Sequence, residues 1–159
     1  MSSTPSPLAL ALGRIPTGLY VVTTLREGRP IGFVGSFVMQ VGLQPPVVSV
    51  AVARGREHLE AIRAQGRFAL SILDGASQGL MGAFFKRHEP GTSPFDGIEH
   101  GRSPAGLPVL TGALAWVECA LRGEHELEDH VVLFGTVEHG ELHRGGDPAV
   151  HLRKNGLSY

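Results

Sequence analysis

Apolar positions in this chain come in short bursts separated by turn chemistry, and most of the bursts read as strands. Residues 18–25 are β-branched and aromatic, which suits a pleated, half-buried surface. Glu27, Gly28, Arg29 and Pro30 supply a turn, and residues 31–39 return as the partner strand of a hairpin. Residues 47–53 are apolar at nearly every position, so they predict a central strand covered on both faces. A third strand follows at 68–73. Residues 114–124 alternate, with Val117, Cys119 and Leu121 on one face and Trp116, Glu118 and Arg122 on the other. A last strand spans 131–138, with turns at Gly140 or at Gly145 and Gly146.

Helical spacing is scarcer. Residues 8–15 predict a short helix with Pro7 in its first turn, stopped before Pro16. Residues 57–64 place Leu59, Ile62 and His58 toward the core, with Gly66 as the stop. A further helix over 77–86 presents Leu80, Met81, Phe84 and Phe85 on one side. Residues 148–152 predict a single helical turn. The stretch 88–108 is rich in Gly, Pro, Ser and charge, a loop length that is often functional or mobile. About six strands with helices at the edge predict a mainly β domain, an antiparallel barrel with α additions.

Composition narrows the class. At 159 residues the chain is one domain, 1–159, with a loose polar arm over 1–6. A net charge of −1 excludes a strongly basic surface for nucleic acid, and no apolar run approaches the roughly 20 residues of a membrane helix. No basic-then-apolar leader is present at the N-terminus, so a cytoplasmic location is the expectation. Cys119 is the only cysteine, which excludes an intrachain disulfide and a thiolate metal cluster. With no His-Glu-x-x-His pattern either, no metal site is expected.

The candidate chemistry crowds into residues 31–58. Arg54, Gly55 and Arg56 precede a helix N-terminus, where free N–H groups and the dipole favour an anion. The competing reading is a solvated strand-to-helix connection. Val34, Gly35 and Ser36 are small enough for a planar ring to lie along the strand, or they mark a bulge. Gln40 and Ser49 are candidate hydrogen bonders. Asp129 stands beside His130 and would orient its ring, in an acidic patch that also fits a solvated turn. No nucleophile elbow, Walker loop or Rossmann fingerprint is present.

In order and spacing together, these segments resemble the flavin reductase-like family, the split-barrel FMN-binding proteins. The resemblance runs from Leu12, Gly13 and Arg14 to Tyr159. It rests on Arg14 followed by Gly18, the strand at 21–24, the run 32–37, and Pro45-Pro46 before a Val-rich strand. Further along it rests on the strand at 68–73, Phe84-Phe85, Gly106 to Leu110, Glu118-Cys119, and Asp129-His130 as the tail of a Gly-Asp-His signature. Glu128 stands where that signature has its glycine, and Gln40, Val41 and Gly42 replace its Ser-x-Ser.

The resemblance implies a homodimer of six-stranded Greek-key split barrels with FMN, or FAD, in a groove near the dimer interface. It places Phe33, Val34, Gly35, Ser36 and Phe37 along the isoalloxazine ring, with Gln40 nearby. Val50, Ala51, Val52, Ala53, Arg54 and Arg56 would hold the ribityl chain and phosphate, and Phe85 and Lys86 would close over them. His130, oriented by Asp129, would lie near the nicotinamide of NAD(P)H. The activity implied is an NAD(P)H:flavin oxidoreductase whose reduced flavin serves a monooxygenase or another acceptor. A non-enzymatic flavin- or haem-binding carrier or sensor, and a pyridoxamine-phosphate-oxidase-like enzyme, are the alternatives on the same barrel.

Overall fold

Strand alternation sets the architecture. Along β4 (Pro46–Ala53) the side chains of Val48, Val50 and Val52 are buried while those between them are only half-buried. In the computed structural model, which describes residues 4–158, β4 lies near one side of a seven-stranded antiparallel sheet. The strand order is β2 (Arg29–Gly35), β1 (Tyr20–Arg26), β5 (Arg67–Ile72), β8 (Ala115–Glu126), β9 (His130–Leu142), β4 and β3 (Val38–Leu43). Residues 1–3 of the expected arm, and Tyr159, lie outside the described residues.

The sheet curls around one core. Val22, Phe33, Val50, Phe68, Cys119 and Leu133 meet in a single buried cluster, against which Val38 also packs, so all seven strands contribute. Leu59 and Ile62 of α2 (Glu57–Gln65) join the same cluster. The predicted faces of β8 hold, since Val117, Cys119 and Leu121 pack into this core while Trp116 packs behind it.

Several expected elements change. Residues 31–39 are not one strand, because Ser36 and Phe37 break it into β2 and β3. β2 pairs with β1 and β3 pairs with β4, so the break carries the chain from one edge of the sheet to the other. That division gives seven strands rather than six. The helix expected over 77–86 is a 3-10 turn, Gln78–Met81, followed by one α-helical turn, α3 (Gly82–Phe85). Gly79 and Gly82 weaken any longer helix there. Helix α1 (Pro7–Leu12) ends at Gly13, and Ser6, expected in the loose arm, caps it by accepting from the Ala9 N–H at 3.2 Å.

Residues 148–152 do not form a helical turn. Their backbone groups have partners elsewhere: Ala149 N–H donates to Leu73 O, and His151 exchanges both backbone bonds with Thr17. Gly140 lies inside β9, not at a turn. The long loop holds a small hairpin, β6 (His100–Arg102) and β7 (Pro108–Leu110), and covers the outer face of the sheet with Phe95, Leu107 and Val109.

Two polar clamps fix this cover. Glu118 is buried, accepting the Ala105 N–H at 3.0 Å and facing Arg67, which also reaches Glu138 at 3.1 Å. Asp74 accepts from Ser77 and takes a bidentate grip from Arg144 at 2.8 and 2.9 Å. The Arg144 guanidinium, with Ser77, holds the Asp74 carboxyl well below the usual carboxylate range. Arg144 also donates to Gly112 O at 2.9 Å, joining the end of β9 to the turn between β7 and β8 as well as to the start of the 3-10 segment.

Cys119 is fully buried, and burial, reinforced by Glu118 and Glu138, pushes its thiol up to about 12. A thiol this protonated is a poor nucleophile. Native protein at about pH 8 is therefore expected to leave a disulfide reagent unreacted, with the single cysteine reacting only after unfolding. Rapid reaction of the native protein would contradict this packing. Among the described residues no helix is long and apolar enough to cross a membrane, and no three His, Cys, Asp or Glu side chains are grouped to hold a metal ion.

Candidate functional site

The break between β2 and β3 opens a groove of about 510 Å³. Phe33, Val34, Gly35, Ser36 and Phe37 form one wall, and Ala51 and Ala53 form the floor beside it. The floor follows from the period of a strand: Val50 and Val52 turn into the core, which leaves the two alanines on the groove side. Val50 and Val52 were expected to hold the ribityl chain and phosphate; instead they are core side chains. Gln78, Met81 and Phe85 come from the broken helix and face that wall, Phe85 with its ring 70% exposed.

The two arginines expected at the phosphate part company. Arg56 lines the groove, its guanidinium carbon 5.5 Å from the centre of the Phe33 ring. Arg54 turns to the β8–β9 hairpin instead, donating to Leu127 O at 2.9 and 2.7 Å and approaching Glu126 at 3.7 Å. Its backbone N–H also donates to Asp129 O at 3.0 Å. Arg54 is outside the groove because its guanidinium is turned to the hairpin tip, where Nε and Nη2 share Leu127 O.

Asp129 and His130 begin β9 at that tip. His130 Nδ1 lies 3.0 Å from the Asp129 carboxylate, and the His130 ring meets Phe37 edge-on at 5.6 Å. Its hydrogen bond to His130 draws the Asp129 carboxyl below its ordinary value, so Asp129 stays ionised near neutrality. His130 pairs with Ala53 across the sheet, one strand from the groove floor, so it borders the groove without lining it. Gln40 is exposed and donates to Gly42 O at 3.1 Å within its own strand, away from the groove.

Lys86 faces a different space. A polar cavity of about 900 Å³ lies between the β1–β2 turn, the start of α2 and residues 86–96. Cations and carboxylates alternate around it, Arg26, Arg29, Lys86 and Arg87 against Glu27, Glu57, Glu89 and Asp96, so it selects neither charge. The aromatic groove is smaller, yet its lining holds no carboxylate. His58 stands between the two spaces, its ring 5.0 Å from that of Phe33. Burial lowers its pKa, a larger effect than the opposing pull of Glu57, and the neutral ring backs the groove wall.

Five lining residues carried no local signal in the sequence: Leu19, Gln78, Met81, His151 and Arg153. Met81 lay on the expected helical face, but nothing near 151–153 pointed to a site. Arg153 stacks on Phe37, its guanidinium carbon 4.4 Å from the ring centre. The arrangement is an apolar slot with aromatic walls, small residues on its floor and guanidinium groups on its rim. Such a slot takes a flat ring bearing an anionic tail.

Comparison with known proteins gives the family. The family model described as the flavin reductase like domain matches residues 12–156. The chain belongs to the flavin reductase-like family.

Within that family, the chain is 39% identical over 151 residues to the putative diflavin flavoprotein A 2 of Nostoc sp., covering 94% of this chain and 26% of that protein. It thus spans about a quarter of that curated relative's length. Among solved structures, it resembles nitrilotriacetate monooxygenase component B from Mycobacterium thermoresistibile, at 32% identity and a TM-score of 0.82, covering 90% of this chain and 79% of the other. It also resembles the NADH:FAD oxidoreductase SgcE6 of Streptomyces globisporus C-1027, at 26% identity and a TM-score of 0.83, covering 96% and 94%. The family match accounts for the curled antiparallel sheet and includes both sides of the groove, from Leu19 to Arg153.

Proposed function

We propose that this flavin reductase-like chain is an NAD(P)H:flavin oxidoreductase that holds FMN in the groove beside Phe33 to Phe37. The observation that carries this reading is the groove itself: about 510 Å³, walled by aromatic residues, floored by two alanines and rimmed by Arg56 with no carboxylate. Its size lies within the range of small-molecule sites, roughly 300–1,000 Å³. FAD is the alternative flavin.

Bound flavin would supply the acceptor for a hydride from the nicotinamide; everything else falls to the protein. Phe33 to Phe37 and Phe85 keep a flat ring in place and shed water from it. Arg56 neutralises the phosphate at the Phe33 end. Ser36 and Gln78 are uncharged polar side chains available to the ring edge. His130, set by Asp129 and by the Arg54 bonds to the hairpin, positions the nicotinamide beside Phe37. The partner of such a reductase would be a monooxygenase or another acceptor of reduced flavin, as the resemblance to a monooxygenase component suggests.

A homodimer of split Greek-key barrels belongs to the same reading. Edge strand β3 exposes Met39, Val41 and Leu43 at 66%, 51% and 84%, an apolar row that a second copy would cover. The deciding experiment adds FMN to purified protein, follows quenching of flavin fluorescence, then adds NADH or NADPH and follows its loss of absorbance. Saturable quenching with nicotinamide oxidation is expected. Flavin binding without oxidation would refute the reductase, and no binding would refute the flavin site as well.

A further inference from the structure

The C-terminal segment brings a second guanidinium to the groove, and its backbone is held with unusual closeness. Arg14 Nη2 donates to the Arg153 carbonyl at 2.8 Å. His151 is paired with Thr17 through backbone bonds of 2.7 and 3.0 Å, and Gly156 N–H donates to Ala9 O at 2.8 Å. The segment presses against the end of α1: a Cβ on Gly13 would lie 2.5 Å from Arg153 O, and one on Gly156 would lie 2.1 Å from Leu12 Cβ. Only glycine fits at these two contacts. The result is a strap whose Arg153 side chain is set over Phe37 rather than free in solvent.

Two cations thus flank one aromatic wall, Arg56 at Phe33 and Arg153 at Phe37. Among the described residues neither forms an ion pair with a carboxylate. A single phosphate accounts for one of them. Resting on the flavin reading above, we propose that Arg153 contacts the ring end of the bound flavin and favours its reduced, anionic form, with Arg14 as the residue that positions it. A flavin ring that has gained two electrons and one proton carries a negative charge. A fixed guanidinium in a water-poor site stabilises that charge more than the neutral oxidised ring.

Arg153→Gln is therefore expected to weaken binding of reduced FMN about tenfold more than binding of oxidised FMN, seen as a fall of about 30 mV in the midpoint potential of the bound flavin. Arg153→Lys keeps a charge without the planar fork and should show a smaller fall. Arg14→Gln should lower the potential in the same direction, with Arg14→Lys recovering part of it. Oxidised affinity is read by fluorescence quenching, and the potential by dithionite titration against a reference dye. Protection of Cys119 from thiol reagents identifies variants that have kept the fold.

Wild-type protein that binds no FMN would refute the flavin reading itself. Wild-type binding, together with an unchanged potential in a folded Arg153→Gln variant, would overturn the proposal for Arg153 and leave the flavin site intact. Should Arg153→Gln not fold, a folded Arg153→Met variant, which also removes the charge, with an unchanged potential overturns it equally. A shift in Arg153→Gln without one in Arg14→Gln would overturn the positioning role of Arg14.

Discussion

Replacing Phe68 with alanine is expected to cost the fold about 3–5 kcal/mol, the usual range for deleting a buried phenylalanine. Phe68 is fully buried on β5, opposite Cys119 of β8, in the cluster that all seven strands share. Its ring lies over Gly135 of β9, where an added Cβ would come within 2.6 and 2.8 Å of ring atoms and 2.7 Å of Cys119 Cβ. Gly135→Ala should therefore cost about 1–3 kcal/mol by overpacking. In the Phe68→Ala background the same methyl would enter the space the ring vacates. The double variant should then be more stable than the sum of the single changes allows, a coupling measurable by urea unfolding. Strict additivity would mean that the contact with Cys119 Cβ, not the ring, sets the cost of the added methyl.

That contact shows why some of the fold was legible and some was not. Strands such as 47–53 and 68–73 announce themselves because β-branched and apolar residues fill a short run bounded by turns. Pairing partners lie far apart in sequence, so Gly135 carries no local sign that a β5 ring covers it. The break at Ser36 and Phe37 is hidden for a similar reason. Local composition favours one long strand there, and only the separate ladders to β1 and β4 divide it. Residues 148–152 illustrate the same competition, since their backbone partners at Leu73 and Thr17 override a weak helical tendency.

The groove was legible on one side. Phe33 to Phe37 were singled out from their small residues and their match to the family, and they do form one wall. The floor was located by segment but not by parity, because naming 50–53 as a block ignores the two-residue period that buries Val50 and Val52. The opposite rim was invisible. Arg153 reaches the site only because residues 9–17 and 151–156 meet, a contact spanning nearly the whole chain.

Arg56→Ala is expected to raise the FMN dissociation constant roughly 10- to 150-fold, the loss of about 1.5–3 kcal/mol for a hydrogen bond to a charged group. Arg56→Lys should restore only part of this, because an ammonium replaces the planar fork that matches a phosphate. Arg54→Ala separates the two arginines. Its side chain is spent on Leu127 O and Glu126, so FMN affinity should change by no more than about twofold, the scale of an exposed ion pair. The hairpin tip that carries Asp129 and His130 would loosen, so the KM for NAD(P)H should rise instead. Fluorescence titration of FMN and steady-state kinetics with varied nicotinamide read the two effects independently. If Arg54→Ala weakened FMN as strongly as Arg56→Ala, the division between a phosphate arginine and a hairpin arginine would be wrong. The two side chains would then serve one anion together, as their spacing in the sequence first suggested.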